Sequence, residues 1–215
     1  MSNILLVTSS PRGEASHSTR VATELANKLQ AALPGSTLKK RDLVANPLPH
    51  IEPDYASGIF TPAEARTPRQ TEVVCVSDAA VDELLAADHI ILATGFINFS
   101  ISSTLKSWID HIMRSGRTFS YGANGPQGLV TGRKVYVVLA SGGVYSEGPG
   151  AVMDFAVPYL KSVLAFNGMT DVEIIRVEGA AKGEDALNAA LAKAGKQVDA
   201  LAASVAGSAL QAAAA

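Results

Sequence analysis

The sequence contains one cysteine, Cys75, among 215 residues. A lone thiol forms no internal disulfide, so a reducing compartment, the cytoplasm, is expected. Charge is scarce as well: 18% of residues are charged and the net charge is -2. That balance provides no basic footprint for nucleic acid. No apolar run reaches the roughly 18 residues that a membrane span requires, so no membrane partner is expected. The amino-terminal MSNILLVTSS lacks a basic stretch ahead of a long apolar run and does not read as a secretory signal. Neither GxxxxGK[ST] nor GxGxxG occurs, which argues against a nucleoside triphosphate loop and a standard dinucleotide fingerprint. His50, His89 and His111 show no metal-ligand spacing, and no metal is expected.

The chain is instead largely apolar. Hydrophobic residues make up 47%, enough for a packed core rather than a disordered segment. The length fits a single domain over 1–215. Short apolar runs at Ile4–Val7, His89–Ala93, Val135–Ala140 and Val172–Val177 read as strands buried on both faces, with a more polar strand at 37–43. Helical spacing separates them. It begins near Ser18, at Thr67-Pro68 with Thr67 as N-cap, at Ser103 and near Val152, and a last helix follows Leu187. In the fourth helix Phe155, Tyr159 and Val163 fall in line, and Pro158 marks either a kink or the true start. A small hairpin is expected around Phe119 and Tyr121. The segment 46–67 carries four prolines and reads as a long irregular excursion. Buried strands joined by helices predict a doubly wound, five-stranded parallel sheet of the flavodoxin-like order 2-1-3-4-5.

That order predicts a ligand site beyond the carboxyl ends of the first and third strands. Three loops meet there. SSPRGEASHS leads into a helix whose free amides suit a phosphate, with Ser10, Ser16 and Ser18 as hydroxyl donors. In TGFINFSISSTLK, Phe96, Ile97 and Phe99 can wall a flat ring and Asn98 can bond its polar edge. ASGGVYSEGPG offers glycine amides at close approach. A phosphate cradle, an apolar wall and a donor loop on one sheet edge suggest flavin mononucleotide (FMN).

The ordered motifs S-x-x-x-x-x-S-x-S (Ser10, Ser16, Ser18), RDLVANPLP, TPRQ, NFSIS, NGPQGLVTGRK and GGVYSEGP resemble the FMN-dependent azoreductases, within the NAD(P)H:quinone reductases. The resemblance implies that Ser10, Ser16, His17 and Ser18 hold the flavin phosphate. It also implies that Phe96, Ile97, Asn98, Phe99, Ser141, Gly142 and Gly143 line the ring system. NADH or NADPH would reduce the flavin, and a quinone or azo compound would accept the two electrons in the same place, giving ping-pong kinetics. Asn98 and Tyr145 are the candidate catalytic residues. A homodimer is also implied, and in it Phe119, Tyr121 and Phe166 are candidate walls or lids of the substrate pocket, within one chain or across the interface. The apolar side chains Ile51, Tyr55, Ile59 and Phe60 on the excursion point the same way, because they need a surface to cover them. Two other readings stay open: a hydrolase using Ser9 or Ser10, and a flavin-binding or electron-transfer protein without catalysis. No G-x-S-x-G elbow supports the first.

Overall fold

The computed structural model describes residues 2–214, with side chains described to 211. The strands are β1 (Asn3–Thr8), β2 (Thr37–Asp42), β3 (His89–Gly95), β4 (Phe119–Gly122), β5 (Gly125–Gly128), β6 (Lys134–Ala140) and β7 (Asp171–Val177). The helices are α1 (His17–Ala32), α2 (Pro53–Gly58), α3 (Pro68–Ala86), α4 (Ser103–Ile112), α5 (Ala156–Phe166) and α6 (Glu184–Ala214). Five strands form one parallel sheet in the order β2-β1-β3-β6-β7. With β4 and β5 set apart as a small antiparallel hairpin, this is the expected 2-1-3-4-5 order.

Alternation along each strand explains the unbroken apolar runs. Ile4, Leu6, Ile91, Ala93, Tyr136 and Val138 face α1 and α6. Leu5, Val7, Ile90, Leu92, Val135, Val137 and Leu139 face α3, α4 and α5. Both faces are therefore core, and neither can carry polar residues in phase. No helix among the described residues is long and apolar enough to cross a membrane.

Local chemistry sets the helix ends. Thr67 Oγ1 accepts from the Gln70 amide and Gln70 Oε1 accepts from the Thr67 amide, a reciprocal cap with Pro68 at the first helical position. Other boundaries differ from the sequence reading. The fourth predicted helix starts at Ala156, after a 3-10 stretch at Gly148–Met153. Asp154 Oδ1 accepts from the amides of Ala156 and Val157 and fixes that start. Pro158 then lies in the first turn, where an amide has no helical partner to lose. Phe155 consequently falls outside the helix and is 55% exposed, not in line with Tyr159 and Val163. α4 stops at Ile112. α6 runs through Ala214, and Ala215 lies outside the described residues. Cys75 is exposed on α3.

The excursion at 46–67 is more ordered than its prolines suggest. It holds α2 and a 3-10 turn at Ala63–Ala65. Tyr55 is buried against Val73 and Val74 of α3, and its hydroxyl bonds Ser77 Oγ. The His111 ring lies edge-on to Tyr55 at 4.7 Å, and its Nε2–H donates to the Pro49 carbonyl at 2.9 Å. Tyr55 and Ile59 thus find their cover within the chain, which removes them from the argument for a partner surface. Ile51 and Phe60 stay exposed.

At the base of the hairpin, Gly128 meets Gly168 backbone to backbone. A Cβ on Gly128 would fall 2.0 Å from the Gly168 nitrogen. The Val130 amide donates to the Asn167 carbonyl beside it.

Candidate functional site

The chain crosses from β1 to β2 on one side and from β3 to β6 on the other, so β1 and β3 flank the point where the winding reverses. Three loops leave the carboxyl ends of β1, β3 and β6 at that edge.

The first loop makes a turn of 3-10 helix at Gly13–Ala15 and enters α1 at His17. Ser16 occupies the N-cap position in extended conformation, yet its hydroxyl does not cap the helix. It bonds Ser18 Oγ at 2.9 Å instead, and both serines are buried. The amides of His17, Ser18 and Thr19 have no acceptor among the described residues. His17 Nδ1 is buried with no partner. Burial, helped by Arg12 and Arg20, lowers the His17 pKa, so its ring is neutral at pH 7. The serines are therefore not needed as caps. Free amides, paired hydroxyls and the positive end of α1 gather at one spot, a donor set suited to a phosphate.

The second loop turns sharply. Ile97 and Ser100 exchange both backbone hydrogen bonds, at 2.9 and 3.0 Å. Between them Asn98 and Phe99 have φ of 47° and 70°, the only non-glycine positive values among the described residues. Two left-handed residues in a two-residue turn follow the type I′ pattern. Asn tolerates this conformation; Phe pays for it in strain. Phe96 packs on the core, and its ring lies 4.2 Å from that of Tyr145.

The third loop rests on the turn after β7. The carbonyls of Ser141, Gly142 and Gly143 accept from the amides of Ala180, Ala181 and Gly179. The amides of Gly142 and Gly143 bond no acceptor among the described residues. The first three carbonyls of the loop are thus spent on the protein, while the Gly142 and Gly143 amides stay free. Gly150 closes it: a Cβ there would lie 2.6 Å from the Val144 carbonyl.

A cleft of about 330 Å³ joins these loops, lined by Ser10, Ser16, His17, Phe96, Ile97, Ser141 and Gly142 among others. Ser18 lies beneath it, bonded to Ser16. Gly143, Asn98 and Phe99 do not line it. A second cleft of about 670 Å³ shares Ile97 and Pro11 as a dividing wall, and Asn98, Ser102, Lys106 and Tyr159 line it. Sequence reasoning missed contributions from three places in the chain. Arg12 lines the first cleft with a cation. Ala180 and Ala181 line it from the turn after β7. Glu178 accepts from the Tyr145 amide and the Ser146 hydroxyl. The R in SSPRGEASHS was a visible signal; the other two contributions depend on strand order.

Phe119, Tyr121 and Phe166 do come together, with Phe119 5.5 Å from Tyr121 and 4.9 Å from Phe166. They do not join these clefts. α5 starts at the site, where the Phe155 amide donates to the Phe99 carbonyl. Its 11 residues then run away from it by roughly 16 Å. Phe166 therefore sits at the opposite edge of the sheet, and this trio cannot wall a pocket within its own chain.

The arrangement is that of a flavodoxin-like protein, and the chain belongs to that family: the sequence model of the flavodoxin-like fold matches residues 2–202. It is 71% identical over 202 residues to the FMN-dependent NADH:quinone oxidoreductase of Mesorhizobium japonicum, covering 94% of this chain and 96% of the relative. The enzyme of the same name from Rhizobium johnstonii is 55% identical over 202 residues, at 94% and 98% coverage. Among solved structures, an azoreductase from Bacillus anthracis superposes with a TM-score of 0.87 at 29% identity, covering 94% of this chain and 99% of that one.

Proposed function

We propose that this protein is an FMN-dependent NADH oxidoreductase that reduces quinones and azo compounds by two electrons. The observation that carries this reading is the cleft at the β1–β3 reversal. It gathers the unbonded amides at the start of α1, an unpartnered His17 nitrogen and the unbonded amide of Gly142, with that of Gly143 next in the chain. These groups match the phosphate and the electron-rich ring edge of FMN, and the 71% identical relative carries that cofactor in its name. Bound FMN supplies the redox chemistry, and the protein supplies binding, orientation and electrostatics.

In this reading Ser10, Ser16, His17 and Ser18 hold the phosphate, with Arg12 adding charge. Phe96, Ile97, Asn98, Phe99, Ser141, Gly142 and Gly143 line the ring, and Asn98 offers its amide to the polar edge. The Gly142 and Gly143 amides stabilise negative charge that develops there, as an oxyanion hole does. Tyr145 packs on Phe96, and its hydroxyl bonds no group among the described residues, which keeps it as the candidate proton donor. The hydrolase reading lacks support: Ser9 is buried and donates its hydroxyl to the Ala93 carbonyl.

The chain acts as one domain over 1–215, in the cytoplasm, as a homodimer. Support for the dimer comes from Phe60, Tyr121, Val152 and Phe155, which are 77%, 72%, 78% and 55% exposed. In an isologous pair, Phe119, Tyr121 and Phe166 reach a pocket only as the partner's aromatics. Initial rates test the shared site. At varied NADH, double-reciprocal lines for several quinone concentrations should run parallel; intersecting lines would establish two separate binding places.

A further inference from the structure

The glycine loop is held in place by a carboxylate outside the cleft. Glu178, just past β7, has a side chain 12% exposed. Its Oε1 accepts from the Tyr145 amide at 2.9 Å, and its Oε2 accepts from the Ser146 hydroxyl. Arg176 pairs with Glu178 at 3.1 Å through one nitrogen and with Asp154 through another. Asp154 in turn accepts the first amides of α5. One chain of charge-assisted bonds therefore joins the end of β7, the far side of the glycine loop and the start of α5. The next residues, Gly179–Ala181, take the carbonyls of Ser141, Gly142 and Gly143. Bonds on both sides leave the glycine amides as the loop's unspent donors.

We propose that Glu178, clamped by Arg176, is a positioning residue that holds the Gly142 and Gly143 amides in register with the bound flavin and so sets its reduction potential. This rests on the flavin reading of the cleft. Ordered donors favour the reduced, more negative form over the oxidised one. Loss of the clamp lowers the potential. Loss of a negative charge by itself, with the loop unmoved, raises it. The two effects have opposite signs, which separates positioning from a through-space charge effect.

The experiment compares wild type, Glu178→Ala and Glu178→Gln. FMN is titrated into each in its oxidised form, and the midpoint potential of bound FMN is measured against a dye. Thermal melting reports the fold separately. Glu178→Ala should lose at least tenfold more affinity for reduced than for oxidised FMN, a fall of about 30 mV for a two-electron couple. Glu178→Gln keeps an oxygen for the Tyr145 amide and should stay at or above the wild-type potential. An unchanged or raised potential in Glu178→Ala overturns the proposal. Should that variant not fold, Ser146→Ala removes one bond at an exposed side chain. A threefold fall in the same ratio then supports the proposal, and no fall overturns it. A wild-type protein that binds no FMN overturns the flavin reading and this proposal together. FMN binding with unmoved variants overturns this proposal alone.

Discussion

Ser16 and Ser18 bond each other rather than the helix they open, so their hydroxyls are available at little structural cost. Replacing both with alanine should weaken FMN binding by about 1–3 kcal/mol, the scale of hydrogen bonds to a charged group. Riboflavin, which lacks the phosphate, should lose far less; equal losses in paired titrations would move the phosphate elsewhere. His111 poses a different question. It is buried, donates to the Pro49 carbonyl and lies near Arg114, and burial lowers its pKa. A lowered histidine pKa means the folded state favours the neutral ring. Its contribution to stability is thus present above about pH 6.5 and lost as pH falls through the folded value. Denaturant melts should show stability declining from pH 7 to pH 5. His111→Gln should flatten that slope without abolishing it, because His17 and His89 are lowered too. An unaltered slope in the variant would locate the acid sensitivity in other groups.

The β4–β5 hairpin depends on a backbone contact that no side chain can join. Gly128→Ala places a methyl 2.0 Å from the Gly168 nitrogen and 2.4 Å from the Asn167 carbonyl carbon, with no flexible side chain to yield. The hairpin must then lift off the end of α5. The expected cost is about 1–3 kcal/mol or more, the range for overpacking, read as a lowered melting temperature. Phe119 fluorescence is too weak to follow this, but Trp108 of α4 is buried in the core and reports global unfolding. Retention of wild-type stability would mean that the contact is slack.

Assembly decides whether the aromatic trio has a role. Phe119, Tyr121 and Phe166 lie at the edge of the sheet remote from the clefts, and Phe60, Val152 and Phe155 are largely exposed. Light scattering on dilute protein should give twice the 22.3 kDa chain mass. Tyr121→Ala should then alter the KM for quinone with little effect on FMN binding. A monomer with full reductase activity would end this assignment, since the pocket would be complete in one chain.

Much of the fold was legible because it is local. Apolar runs with glycine and proline stops marked the strands, four-residue spacing marked the helices, and Thr67-Pro68 announced its own cap. Strand order followed from connection rules, and with it the edge where Ser16, Phe96 and Gly142 converge. Other features were not legible, because they depend on pairs distant in sequence. Tyr55 looked like a side chain in need of a partner until α3 covered it. That Phe166 lies far from the cleft of its own chain follows only from the direction of α5. Glu178 carries no motif at all: its role exists only because β7 lies beside β6 and brings a carboxylate beneath the Tyr145 amide. Periodicity and turn chemistry are written within a few residues, and the sequence by itself determined those. The meeting of groups across 33 residues, as between the Tyr145 amide and the Glu178 carboxylate, was decided only when the strands packed.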